Sequence, residues 1–101
     1  MHLEVADNPD EQRYEVRADG ELAGFTTYHR RGDRIALNHT EIEDAYEGKG
    51  VGSALVARTL DDLRERRLDV LPFCPFVRGY IERHPKYLDL VPEGERARFG
   101  L

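Results

Sequence analysis

Disulfide chemistry is the first thing this sequence lacks. A single cysteine, Cys74, occurs in 101 residues, so no intramolecular disulfide can form. A lone free thiol is most at home in a reducing compartment, which makes the cytoplasm the expected location. No apolar run approaches the roughly 20 residues that a membrane-spanning helix needs, and no membrane role is expected. The opening residues Met1-His2-Leu3-Glu4-Val5 do not resemble a secretory signal. A basic excess is also missing. The formal net charge is −5 at pH 7, which argues against general nucleic-acid binding. Internal repeats, low-complexity tracts and linkers are absent from the pattern.

What is there reads as one small domain. Hydrophobic residues make up 40% and charged residues 35% of the chain, which fits a globular fold with a heavily charged surface. His2-Leu3-Glu4-Val5 alternates and predicts a first strand, followed by a turn over Asp7-Asn8-Pro9-Asp10-Glu11. Tyr14, Val16 and Ala18 fall on one face of a second strand, and Asp19-Gly20 is a hairpin signal. A third strand is expected from Glu21 to His29, and a fourth from Arg34 to Ile42. A strict period of two places Ile35, Leu37, His39 and Glu41 on one face of that fourth strand. The period then changes. Val51, Leu55, Val56, Thr59, Leu60 and Leu63 follow helical spacing to about Arg67. Leu68 to Cys74 predicts a short buried strand, parallel to the fourth because a helix joins them. Pro75 favours a helix start, Phe76, Val77, Tyr80, Ile81 and His84 share one face, and Pro85 ends that helix. Tyr87 to Leu90 is expected as a last short strand or a docked tail. The folded domain should cover residues 1–91, with 92–101 a polar and frayed C-terminal tail. The fold class is therefore mixed α/β (α+β): a mostly antiparallel sheet, a helix packed on it, one parallel β-α-β crossover and a short C-terminal helix.

The chain is organised around Glu47-Gly48-Lys49-Gly50-Val51-Gly52-Ser53, which stands where a strand hands over to a helix. A glycine-rich turn opening a helix offers unpaired N–H groups and the positive end of the helix dipole, an arrangement that binds phosphate. A plain tight turn is the competing structural role. The Walker pattern is absent, because Lys49 is followed by Gly50. The dinucleotide fingerprint GxGxxG is missed too, since the spacing here is GxGxG. Asp69 does fall about 20 residues downstream, but at the start of the next strand and not at its carboxyl end.

The remaining match is to the GCN5-related N-acetyltransferases. Their coenzyme A loop, (Gln/Arg)-x-x-Gly-x-(Gly/Ala), aligns with Glu47, Gly50 and Gly52, with a departure at the first position. The chain resembles in particular a small subfamily carrying His-Thr-Glu-(Val/Ile) before the loop and Cys-Pro-Phe after it. Both occur, as His39-Thr40-Glu41-Ile42 and Cys74-Pro75-Phe76, together with Tyr80-Ile81-x-x-His84-Pro85-x-Tyr87. The resemblance spans about residues 12 to 90. It implies acetyl-CoA as donor, its pyrophosphate held by backbone N–H groups from about Gly48 to Ser53. The implied donor site comprises Ile42, Glu47, Gly48, Lys49, Gly50, Val51, Gly52, Ser53, Cys74 and Phe76. The implied acceptor is a small amine or a protein or peptide amine. Two helices that larger members carry between the first two strands have no room here, so the acceptor half is abbreviated.

Four side chains are candidates for the chemistry. His39 and Glu41 lie two apart on a strand and could take a proton from the acceptor, or simply form a half-buried polar pair. Their spacing could also suit a metal, but no third ligand stands nearby and none is expected. Cys74 ends the fifth strand and precedes a helix N-terminus, and its thiolate could accept the acetyl group and pass it on; its competing role is a small buried hydrophobe. Tyr80 falls close to where the resemblance implies a tyrosine acid, and equally on an apolar helix face. Lys49, Arg78 and Arg83 are the cations that could meet the CoA phosphates. An acetyl-CoA-binding module without transferase activity is the alternative reading. By this reasoning Gly50→Val should abolish cofactor binding and leave the fold largely intact.

Overall fold

In the computed structural model, which describes residues 1–101, the alternating runs become strands β1 (Leu3–Asn8), β2 (Arg13–Ala18), β3 (Glu21–Arg31) and β4 (Arg34–Ile42). Helix α1 (Val51–Glu65) follows the glycine loop, then strand β5 (Asp69–Pro72) and helix α2 (Pro75–Arg83). The sheet runs in the order β1-β2-β3-β4-β5. Its first four strands form an antiparallel meander, and β5 joins β4 in parallel. Asp19 and Gly20 both take positive φ, as the two-residue turn of a right-twisted hairpin requires. Asp7 and Asn8 belong to β1 and not to the turn, which leaves only a tight connection before Arg13.

One face of the sheet is buried. Tyr14, Val16, Leu37 and Val70 pack against Val51, Leu55, Leu60 and Leu63 of α1 and Val77 and Ile81 of α2 in a single apolar cluster. The other face carries polar side chains such as Arg13, Glu15 and Arg17, joined by ion pairs, as an antiparallel sheet with one wet face does. Polar contacts pin α1 to the meander: Tyr14 Oη donates to Asp62, and Arg66 at the end of α1 pairs at 3.0 Å with Asp7, which also accepts from Tyr28 Oη of β3 at 2.7 Å. Burial, reinforced by the Asp7 carboxylate, pushes the Tyr28 phenol up to about 12.

Two departures from strict periodicity shape the site. Along the β3–β4 ladder Thr27 pairs with His39 but Tyr28 pairs with Leu37, so Asn38 is an extra residue in β4. This bulge reverses the alternation beyond it. Ile35 and Leu37 face the core, but Thr40 and Ile42 then take that side, and His39 and Glu41 turn to the wet face. The expected set Ile35, Leu37, His39 and Glu41 does not share a face. Secondly, the β4–β5 ladder ends at Leu37–Pro72, where proline offers no N–H to extend it. Cys74 N–H donates to Leu37 O at 2.8 Å, and the chain then turns into α2 at Pro75. Residues 39–42 of β4 are left without a neighbour on that side.

The C-terminal residues also differ from expectation. Pro85–Leu90 is a 3₁₀ helix and not a strand; it is the docked alternative, anchored where Arg64 of α1 forks onto Asp89 at 2.6 and 3.0 Å. Residues 92–101 are polar but not frayed. Glu93–Arg96 forms a short helix α3, Glu95 meets Arg34 at 3.8 Å, and Phe99 packs edge-on against Phe73 with ring centroids 5.0 Å apart. A hydrophobic anchor two residues before the final Leu101 outweighs the polar composition around it. Phe99→Ala is expected to lower unfolding free energy by about 3 kcal/mol, measured by chemical denaturation; a frayed tail would give less than about 0.5 kcal/mol.

Candidate active site

Between β4 and α1 the chain makes one 3₁₀ turn, Asp44–Tyr46, and then the glycine loop. Gly48 and Gly50 have φ of +75° and +79°, a region costly for any residue with a Cβ. Gly50 is the N-cap of α1, and its carbonyl accepts the first helical bond, from Ala54 at 3.1 Å. No side chain caps the helix. None of the N–H groups of Gly48, Lys49, Gly50, Val51, Gly52 and Ser53 donates to a protein acceptor. Six successive donors therefore stand free at the positive end of a 15-residue helix. An anion bearing several oxygens is the partner such an array fits.

Gly52 has a different reason to be glycine. A Cβ there would lie 2.7 Å from Phe76 Cζ and 3.5 Å from Ile42 Cγ1. Its bare backbone lets the ring of Phe76, 41% exposed, lie against the start of α1.

These residues bound a cavity of about 490 Å³. Its walls are Thr40 and Ile42 of β4, Tyr46, Glu47, Gly48, Gly50 to Ser53, and Phe76. Of the expected donor-site residues, all but Lys49 and Cys74 meet here. Lys49 is exposed on the loop. A second hollow of about 510 Å³ shares Thr40, Ile42 and Glu47 with the first and is lined by Glu41, Glu43 and Asp44. The space beside the first cavity is thus bordered by four carboxylates, those of Glu41, Glu43, Asp44 and Glu47.

The candidate catalytic residues are spread around this cavity and do not converge inside it. His39 and Glu41 pair at 3.3 Å, each with a 60% exposed side chain, on the wet side of β4. Glu41 reaches the acidic hollow; His39 does not. Cys74 is the N-cap of α2 and only 3% exposed. Its Sγ lies 3.3 Å from Thr40 Oγ1, so Thr40 stands between the thiol and the cavity. Tyr80 is buried, stacked on His84 at 4.0 Å between ring centroids, and does not line the cavity.

Sequence reasoning missed Thr40 and Tyr46. Thr40 lies within the quoted motif, but a strict period of two points it away from the site, and only the Asn38 bulge brings it in. The Tyr46 hydroxyl reaches Glu21 at 3.4 Å, and partial burial with that carboxylate raises its phenol above the ordinary value.

A strand, a glycine turn with free amides and a helix stand together beside a cleft where two parallel strands part. The comparisons give the family. A model of the GCN5-related N-acetyltransferases matches residues 13–90, and the chain belongs to that family of acetyl-transferring enzymes. Protein NATD1 of Gallus gallus is 30% identical over 91 residues, covering 86% of this chain and 83% of that protein. Streptothricin acetyltransferase of Streptomyces lavendulae is 38% identical over 53 residues, covering 50% of this chain and 28% of that protein. The solution structure of a GCN5-like N-acetyltransferase, described as putative, from Staphylococcus aureus superposes with a TM-score of 0.67 at 24% identity. It covers 88% of this chain and 87% of that one, and shares its fold.

The loop glycines should respond differently to the same change. Gly52→Ala should keep or raise the melting temperature, because alanine suits a helix better, yet weaken CoA binding by displacing Phe76. Gly50→Ala should lower stability by about 1–2 kcal/mol from its positive φ. Thermal melts of both variants beside CoA titrations check the contrast. The same φ adds a stability cost of that order to Gly50→Val, with the fold still expected to be largely intact.

Proposed function

We propose that the protein transfers the acetyl group of acetyl-CoA directly to the amine of a cationic acceptor. The six free amides of Gly48 to Ser53 carry this reading. They would hold the pyrophosphate, with the helix dipole adding about 0.3–1 kcal/mol for a negative charge at that end. The unpaired edge of β4 at residues 39–42 offers backbone groups to the amides of the pantetheine arm, and Phe76 gives it an apolar wall. The bound donor supplies an activated acyl carbon; the rest falls to the chain. Glu41, at the hollow beside the donor cavity, accepts the ammonium proton of the acceptor, directly or through water, and His39 orients that carboxylate; as the C–N bond forms the C–S bond breaks, and CoA leaves as a thiolate that takes a proton from solvent. The carboxylates of Glu41, Glu43, Asp44 and Glu47 favour a positively charged acceptor. Cys74, buried behind Thr40, is better placed as a support of the site than as a carrier of the acetyl group.

The connection between β1 and β2 is too short to hold acceptor-covering helices, and this favours one alternative: an acetyl-CoA-binding module with little turnover. Calorimetry with CoA comes first. Binding in the micromolar range is expected, with Gly50→Val at least about 100-fold weaker; no binding at millimolar CoA would overturn the donor site. Turnover of acetyl-CoA across polyamines, basic peptides and neutral amines should favour the cations. Glu41→Gln should lower kcat about 100-fold or more with CoA affinity unchanged. Tight binding with no turnover on any acceptor would assign the alternative. Mass spectrometry after mixing with acetyl-CoA should show no adduct on Cys74, and an adduct lost in Cys74→Ser would establish a covalent route.

A further inference from the structure

Thr26, Thr40 and Cys74 form a closed trio under the donor cavity. Thr26 Oγ1 lies 2.8 Å from Thr40 Oγ1, which lies 3.3 Å from Cys74 Sγ. Thr26 is 1% exposed and Cys74 is buried, and neither side chain has another hydrogen-bond partner. Thr40 alone of the three lines the cavity.

A donor count favours one arrangement of the hydrogens. Each hydroxyl carries one hydrogen and two lone pairs, and the thiol carries one hydrogen. Thr26 has nowhere to place its hydrogen except on Thr40 Oγ1, and a buried hydroxyl left without an acceptor is costly. The Cys74 S–H likewise finds only Thr40 Oγ1. Both lone pairs of Thr40 are then filled from behind, and its own hydrogen is left over. Inside the protein that hydrogen has only the cysteine sulfur, a weak acceptor, to turn to; a carbonyl oxygen in the cavity is the stronger partner.

From this count, resting on the acetyl-CoA reading above, we infer that the Thr40 hydroxyl is a hydrogen-bond donor to the thioester oxygen. Thr26 and Cys74 are the positioning residues that aim it. An aliphatic hydroxyl is too weak an acid to give its proton to a departing thiolate. Its contribution is to stabilise negative charge as it develops on the oxygen during acyl transfer, strengthened because two bonds already polarise it. Thr40 is therefore a catalytic residue, and the Asn38 bulge is what places it.

The test reads the carbonyl itself and needs no acceptor. Difference infrared spectroscopy of 13C-carbonyl acetyl-CoA bound to the protein should show the carbonyl band shifted to lower frequency than in water. Thr40→Ser should keep that shift. Thr40→Val, or Thr40→Ala if the valine variant does not fold, should lose it, with CoA affinity within about threefold of the wild type. With an active acceptor, Thr40→Val should lower kcat about 100-fold and Thr40→Ser only a few-fold. A band unchanged by Thr40→Val, or a serine variant as impaired as the valine one, would overturn the inference while leaving the donor site standing. Failure of acetyl-CoA to bind at all would instead overturn the donor site.

Discussion

Backbone amides that find no partner within the protein are the constraint around which this small domain is arranged. Six of them lie in sequence from Gly48 to Ser53, more than an ordinary helix start leaves open. Positive φ at Gly48 and Gly50 makes the loop by turning the chain twice within three residues. Capping side chains, the usual remedy for a helix N-terminus, are absent here. The cost of leaving these groups to solvent is modest, because water satisfies them in the free protein. Their gain comes only when a multivalent anion replaces that water.

The second half of the site comes from the way β4 loses its neighbour. A bulge at Asn38 bends the strand, and Pro72 ends the parallel ladder one residue earlier in register. Together they open a gap beside residues 39–42 and rotate Thr40 and Ile42 towards it. The same rotation sends His39 and Glu41 to the uncovered sheet face. Groups facing the cavity and groups facing the open sheet face thus alternate along four residues of a single strand. This economy suits a chain whose first two strands are joined by a tight turn.

Much of this was legible in the sequence. Alternation marked the meander, helical spacing marked α1, and Pro75 and Pro85 bounded α2 closely. The glycine loop could be read because its chemistry is local: residue type alone decides whether positive φ is tolerated. The bulge could not be read. Periodicity assumes that every residue advances the pleat, and Asn38 does not, so one uncounted residue moved four side chains to opposite faces. The tail misled for a similar reason. Phe99 is a large apolar residue in a mostly polar segment, and the core edge beside Phe73, just past β5, gives it somewhere to go. Tyr80 was placed correctly on α2, whereas Cys74 lies past the end of β5 as the N-cap of α2, and burial separates both from the cavity.

At 101 residues the protein is small enough for each backbone amide to be followed by nuclear magnetic resonance during titration with CoA. The account predicts that the amide signals of Gly48 to Ser53 move most, to lower field as they gain an acceptor, and that inorganic pyrophosphate moves the same signals in the same direction. Signals of this segment that stay in place while others shift would contradict it.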